Sequence, residues 1–226
     1  MRYFIGNWKM FGVPKSVAIL HKINNFINRD NNNNKYRVII TPPYTLLQSF
    51  CKISKNRKID IGSQNCFYKD LYSSNTGAIS PYMIKKLGAT STIVGHSDNR
   101  LEGDTDATIN KKIFYALKNN LKVIFCIGEN KTQKNKKKTF AVLKKQITSA
   151  LSKSYNTKQI IVAYEPIWSI GTGKIPKQED LSKTTLFIKK VLKRLYKSKK
   201  IPPVLYGGSV DASNIALFKS LPEIDG

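Results

Sequence analysis

Two periods of apolar residues alternate along the chain. Residues 3–7, 37–41, 58–62, 89–94, 122–127, 160–164 and 204–206 form short runs, mostly apolar and rich in Ile and Val. Runs of that length are too short for helices and read as strands covered on both faces. Between them, apolar residues recur three and four apart. Segment 14–28 carries Ile19, Leu20, Ile23, Phe26 and Ile27, and segment 105–119 carries Ile109, Ile113, Ala116 and Leu117. Segment 137–151 carries Phe140, Leu143, Ile147 and Leu151, and segment 177–197 carries Leu181, Ile188, Val191, Leu192 and Leu195. That spacing predicts helices with one buried face. Shorter helices are expected over 44–53, 80–87 and 212–220.

Doubly covered strands joined by helices make a parallel sheet with the helices outside it, so the fold class is α/β. An open sheet that binds nucleotide phosphates would show a Gly-rich fingerprint after its first strand, and Gly6-Asn7-Trp8-Lys9 lacks it. Polar groups instead stand at or just past strand C-termini: Asn7 and Lys9, Gln64 and Asn65, His96, Glu129, Glu165 and Ser209. A closed parallel barrel keeps its chemistry on that rim, and a barrel is the expected closure. No long Gly/Ser-rich or Pro-rich linker interrupts the 226 residues, so 1–226 is expected to be a single domain.

Charge adds a second question. Lys and Arg number 39 against 14 Asp and Glu, a formal net charge of +25. A field of that size could track a nucleic-acid backbone or an anionic membrane surface. The lysines, however, are spread over outer helix positions (Lys183, Lys189, Lys190, Lys193, Lys197) and one loop (Lys131, Lys134, 136–138), and they travel with asparagine tracts such as 31–34. A bias shared by the whole surface points away from a dedicated groove, and no specific nucleic-acid partner is expected. The start of the chain is not a secretory signal and no segment approaches a membrane span, so the reading is cytoplasmic, with no membrane partner. Cys51, Cys66 and Cys126 are odd in number and lack CxxC spacing, which indicates neither a disulfide framework nor a zinc site, and no metal is expected.

The stretch 159–174 concentrates the candidate chemistry. Its strand ends on Glu165-Pro166, followed by Ile167-Trp168-Ser169-Ile170 and then Gly171-Thr172-Gly173-Lys174. A carboxylate delivered to a strand's C-terminal rim can sit half-desolvated with a raised pKa, which suits a general base working near neutral pH. The glycines after it let the backbone swing, so the loop can close. The same residues also suit a plain βα turn with a solvent-facing Glu. Of the two histidines, His96 follows a strand at the rim, whereas His21 lies inside the first helix and reads as a surface or packing residue.

Several motifs occur in order, each at an expected strand end: Asn7-Trp8-Lys9-Met10, Val94-Gly95-His96-Ser97, Cys126-Ile127-Gly128-Glu129, 164–174 and Tyr206-Gly207-Gly208-Ser209. Together they resemble the successive motifs of the triosephosphate isomerases, across nearly the whole chain. The resemblance implies a (β/α)8 TIM barrel that interconverts dihydroxyacetone phosphate and glyceraldehyde 3-phosphate as a homodimer, with no cofactor. It implies Glu165 as the base, His96 as the neutral donor to the carbonyl, and Lys9 as the oxyanion and phosphate lysine. Asn7, Lys9, Gly171 and Ser209 would contact the substrate, with Gly207 and Gly208 letting the backbone approach its phosphate.

The chain departs from the family pattern at Asp98 (Glu in the family), Asn99 (Arg) and Ser169 (Ala). Asp98 keeps the charge on a side chain one methylene shorter. Loop 73–78 resembles the family's dimer arm through Thr76-Gly77 alone. The sequence stops at Gly226, where the family continues into an eighth strand, a phosphate loop and a last helix. The expected barrel is therefore C-terminally incomplete, lacking most of strand eight and that helix. A catalytically impaired homologue and a basic nucleic-acid-binding protein remain the alternative readings.

Overall fold

The computed structural model describes residues 1–55, 58–173, 175–197 and 200–226. Its sheet has seven strands in sequence order: β1 (Arg2–Asn7), β2 (Tyr36–Thr41), β3 (Ile59–Ser63), β4 (Ser91–Val94), β5 (Lys122–Ile127), β6 (Ile160–Tyr164) and β7 (Val204–Tyr206). Pairs β1–β2, β2–β3, β3–β4 and β6–β7 are parallel. The helices are α1 (Ile19–Arg29), α2 (Tyr44–Ser54), α3 (Pro81–Lys86), α4 (Ser97–Leu101), α5 (Asp106–Lys118), α6 (Lys131–Asn135), α7 (Thr139–Ala150), α8 (Gln178–Tyr196) and α9 (Ile215–Lys219). The chain forms two compact units, Met1–Val94 with Phe114–Val123, and Gly95–Ile113 with Ile124–Gly226. No helix among the described residues is long and apolar enough to cross a membrane.

In the first unit, β1 and β2 end level, with Asn7 beside Thr41, and the Trp8 N–H extends the ladder by donating to the Thr41 carbonyl at 3.1 Å. Leu46, Leu47 and Phe50 of α2 bury their side chains, and the Trp8 indole meets the Phe50 ring edge-on at 5.0 Å. The rim residue that follows β1 is thus held from below by the core. In the expected helix 14–28, the start is a 3-10 turn, Pro14–Ala18, and α1 follows it. Leu20 and Ile27 are buried, but Phe26 is 69% exposed, because it stands about 100° round the helix from Ile27.

The β3–α3 loop of this unit is tied at its base. Asp70 pairs with Lys118 Nζ at 2.6 Å and accepts from Asn119 Nδ2 at 2.6 Å. The Lys118 ammonium first, and the Asn119 amide second, hold the Asp70 carboxyl below its ordinary value of 3.8. A depressed carboxylate contributes stability above its unfolded pKa and loses it as pH falls through the folded value. Asp70→Asn should therefore flatten the acid limb of melting temperature against pH below about pH 4. Superimposable acid limbs for the two proteins would refute the tie.

In the second unit every residue of β6 is buried, as its unbroken apolar run requires. Tyr164 of β6 stands beside Tyr206 of β7. Helix α8 covers this unit with Leu181, Thr184, Thr185, Ile188, Val191 and Leu192. Residues 225–226 run along β7: Tyr206 N–H donates to the Gly226 carbonyl at 3.0 Å, and Asp225 N–H to that of Val204 at 2.9 Å. Arg100 donates through Nε to the Gly95 carbonyl at 2.9 Å and pairs with Asp106 at 2.9 Å, bracing the turn that leads into His96.

Candidate active site

Glu165 follows β6 directly, and the backbone there is gripped from both sides. Its N–H donates to the Ile127 carbonyl at 2.8 Å, while the Tyr164 carbonyl accepts from Gly207 N–H at 2.8 Å. Both neighbouring chains carry glycine at the closest approach. A Cβ on Gly128 would lie 1.8 Å from the Glu165 carbonyl oxygen, and one on Gly207 would lie 2.6 Å from Glu165 Cγ. Glycine is needed at these two positions for room. The packing leaves the carboxylate facing His96, with Oε2 3.7 Å from Nε2.

His96 is 6% exposed and caps α4. Its Nδ1 accepts the Asp98 backbone N–H at 3.1 Å, and the Asp98 carboxylate lies 3.4 Å from the same nitrogen. Of the two neighbours the amide is the shorter contact and a certain donor, so Nδ1 acts as an acceptor. A neutral imidazole accepting there carries its hydrogen on Nε2, the nitrogen that faces Glu165.

Loop 166–173 is fastened beside this pair. Ile167–Ser169 form a 3-10 turn, and Ile167 N–H donates to the Glu129 carbonyl at 3.0 Å. The Glu129 carboxylate is 1% exposed and accepts from Trp168 Nε1 at 2.8 Å and from Tyr164 Oη at 3.2 Å. Lys134 Nζ lies 3.3 Å from the centre of the Trp168 ring, a cation–π contact, and burial pushes that ammonium's pKa down. Helix α6 presents Lys134, and its start is set by a reciprocal cap between Asn130 and Gln133. A pocket of about 210 Å³ lies against the indole, with Phe140, Asp180 and Thr184 in its lining. Further on, Gly171 and Gly173 adopt φ of +67° and +69°, where glycine is the residue without strain. Lys174 lies outside the described residues.

Asn7 and Lys9 stand at the end of β1 in the first unit. Lys9 has a left-handed backbone, φ 49°. Its N–H donates to Asn7 Oδ1 at 3.0 Å, and its carbonyl accepts from Gln64 Nε2 at 2.8 Å, the same amide that reaches the Thr41 carbonyl at 2.9 Å. In the second unit, Ser209 Oγ donates to the Ser169 carbonyl at 2.9 Å. The structure thus brings Glu165 and His96 together, joins Ser209 to the loop that carries Gly171, and couples Asn7 to Lys9. Among the described residues no three His, Cys, Asp or Glu side chains gather as a metal site requires.

Three supporting contacts escaped the sequence reading. Glu129 was seen as a rim residue but not as the acceptor for the Trp168 indole. Gln146 of α7 brackets Gly128, accepting its N–H at 3.0 Å and donating to its carbonyl at 3.1 Å. Tyr206 meets Ser169 through their hydroxyls at 3.1 Å. The available signal was a Glu directly after Gly at a strand end; nothing local marked the other two.

The triosephosphate isomerase family model matches residues 2–226. The chain belongs to the triosephosphate isomerase family. It is 38% identical to the triosephosphate isomerase of Dictyoglomus thermophilum, over 97% of this chain and 89% of that protein. With the triosephosphate isomerase of Thermodesulfovibrio yellowstonii it shares 35% over its full length and 91% of the relative's. A crystal structure of triosephosphate isomerase from Bartonella henselae superimposes with a TM-score of 0.90 at 31% identity, covering 100% of this chain and 90% of the other. At that similarity the fold is the family's α/β TIM barrel, as the rim polarity had led us to expect.

Proposed function

We propose that this chain is an aldose–ketose isomerase that interconverts dihydroxyacetone phosphate and D-glyceraldehyde 3-phosphate. Glu165 takes a proton from the carbon next to the carbonyl, and the released electron pair forms the enediolate double bond while the carbonyl oxygen becomes negative. The Nε2–H of His96 and the Lys9 ammonium stabilise that oxygen. The imidazole then shifts a hydrogen between the two oxygens, and Glu165 returns its proton to the adjacent carbon. Protons alone move, so the reaction calls for no cofactor. Asn7 contacts the substrate beside Lys9, and the Gly171 main chain and the Ser209 hydroxyl receive the phosphate when loop 166–173 closes over it.

The observation that supports this most is the pairing of a half-buried carboxylate with an imidazole nitrogen, Oε2 to Nε2 3.7 Å, the other ring nitrogen accepting the Asp98 N–H. A ketose–aldose shift needs a base and a donor that reach neighbouring atoms of one small substrate, the carbon that loses the proton and the carbonyl oxygen. The test is a coupled assay with glyceraldehyde 3-phosphate: turnover carries the proposal, and a folded protein with no turnover sinks it in favour of an impaired homologue.

The proposal extends to a homodimer. Met10 and Phe11 are 95% and 74% exposed in the β1–α1 loop, and Leu71 and Tyr72 are 53% and 77% exposed in the β3–α3 loop. Large apolar side chains in solvent on two rim loops of one unit suit a partner surface. Sedimentation equilibrium should give twice the monomer mass, and Tyr72→Asp should shift it toward monomer; a monomeric wild type would remove this part. The proposal includes a cytoplasmic location, which suits soluble phosphorylated substrates and which cell fractionation checks.

A further inference from the structure

Ser169 is completely buried, yet it is polar and sits in the loop beside the base. Each of its polar groups is engaged. Its N–H donates to the Pro166 carbonyl at 2.8 Å, its carbonyl accepts from Ser209 Oγ at 2.9 Å and Thr172 Oγ1 at 3.2 Å, and its Oγ is 3.1 Å from Tyr206 Oη. Tyr206 is a firm post. Its backbone belongs to β7 beside Tyr164, and its ring stacks on Phe218 with centroids 4.7 Å apart. The next residue, Gly207, is the one whose Cα lies against the Glu165 side chain. The base is therefore pressed against the same short segment, 206–209, to which the loop is tied twice. Trp168, one residue before Ser169, borders a pocket of about 210 Å³ into which the indole could move if the tie failed.

We propose that the Ser169 hydroxyl is a positioning group for the reaction, holding loop 166–173 and the Glu165 carboxylate in register with β7 through its bond to Tyr206. Ser169 touches no reacting atom in this scheme. The backbone bonds of Ser169 set the turn, whereas its side-chain bond selects which of the positions open to the turn is occupied. Removing the hydroxyl leaves a well-filled site, since alanine differs by one atom, but releases the loop base from Tyr206. The cost is one net hydrogen bond, which corresponds to about 2- to 10-fold in the fraction of molecules with the loop in register.

The test uses Ser169→Ala, Ser169→Cys, Tyr206→Phe and the Ala/Phe double variant in the full chain, with two readouts. The kinetic readout rests on the isomerase reading: Ser169→Ala and Tyr206→Phe should each lower kcat/KM by about 2- to 10-fold, and the double variant should be no worse than the poorer single one. Ser169→Cys, which keeps a weak donor, should fall between wild type and alanine. The second readout needs no substrate. With 5-fluorotryptophan incorporated, the Trp168 fluorine resonance of the free protein should shift or broaden in Ser169→Ala and Tyr206→Phe, while the Trp8 resonance stays in place. A wild type without turnover would fault the isomerase reading and leave the fluorine spectra to decide on the tie. An unmoved Trp168 resonance overturns the proposal, as do kinetic losses that simply multiply in the double variant.

Discussion

Glu165→Gln should lower kcat by about three orders of magnitude or more while leaving the protein folded and still able to bind a phosphorylated inhibitor. The amide keeps the shape of the carboxylate and its place against Gly207, so the change isolates basicity. Its oxygen or nitrogen would still stand near His96 Nε2, now 3.7 Å from Oε2, but could not accept a carbon-bound proton. His96→Gln should lose less, because an amide N–H can still polarise the carbonyl from the same side. Progress curves from a coupled assay, together with inhibitor titration, separate the two effects. If the Glu165→Gln variant retained a tenth or more of wild-type turnover, another group would have to be the base.

Gly128→Ala should be the most damaging single methyl in the second unit. The added carbon would be placed 1.8 Å from the Glu165 carbonyl oxygen and 2.7 Å from its carbon, both backbone atoms, so no rotamer change relieves it. Residues 128 and 165 must separate, stretching the 2.8 Å bond from Glu165 N–H to the Ile127 carbonyl and the two bonds exchanged between Gly128 and Gln146. Overpacking against backbone belongs at the severe end of core substitutions, above about 3 kcal/mol, or about 6–12 °C of melting temperature for a chain of this size. The activity that survives should fall as well, because the displaced atoms belong to the base. Gly77→Ala is the control. Its Cβ would meet nothing within 4 Å, and its φ of +78° is its sole objection to alanine, so about 1 kcal/mol is expected. Equal losses at the two positions, measured by thermal denaturation, would show that close approach at Gly128 is not what demands glycine.

Much of the candidate site was legible because most strands here turn apolar toward their C-terminal ends, so the first polar residue at or past each end stands out. Asn7, His96, Glu129, Glu165 and Ser209 were all found that way. The strand boundaries agree to within a residue or two, and β6 is buried at every position, as a doubly covered strand should be; β1 departs from that expectation, with no buried residue and Phe4 38% exposed. Helices α4 and α6 were not foreseen. Each is five residues long and rich in polar groups, SDNRL and KTQKN, so neither carries an apolar stripe for periodicity to detect. The burial of Glu129 was not legible either. A glutamate is ordinarily exposed, and this one is kept inside by donors from Tyr164 and Trp168 that lie more than thirty positions away in sequence. The Ser169–Tyr206 bond belongs to the same class: the turn after β6 carries one hydroxyl and the end of β7 the other, 37 positions apart in sequence.

The left-handed backbone of Lys9 sets stability against activity at one position. A lysine at φ 49° gives up about 1 kcal/mol that glycine would keep, and Asn7 and Gln64 hold it there. Selection for thermal endurance alone would favour glycine at residue 9, or a sequence that lets the turn relax. Selection for turnover would keep the ammonium that the proposed mechanism uses. An evolution experiment run on heat resistance without substrate should therefore erode this corner of the rim before it touches the buried strands beneath it.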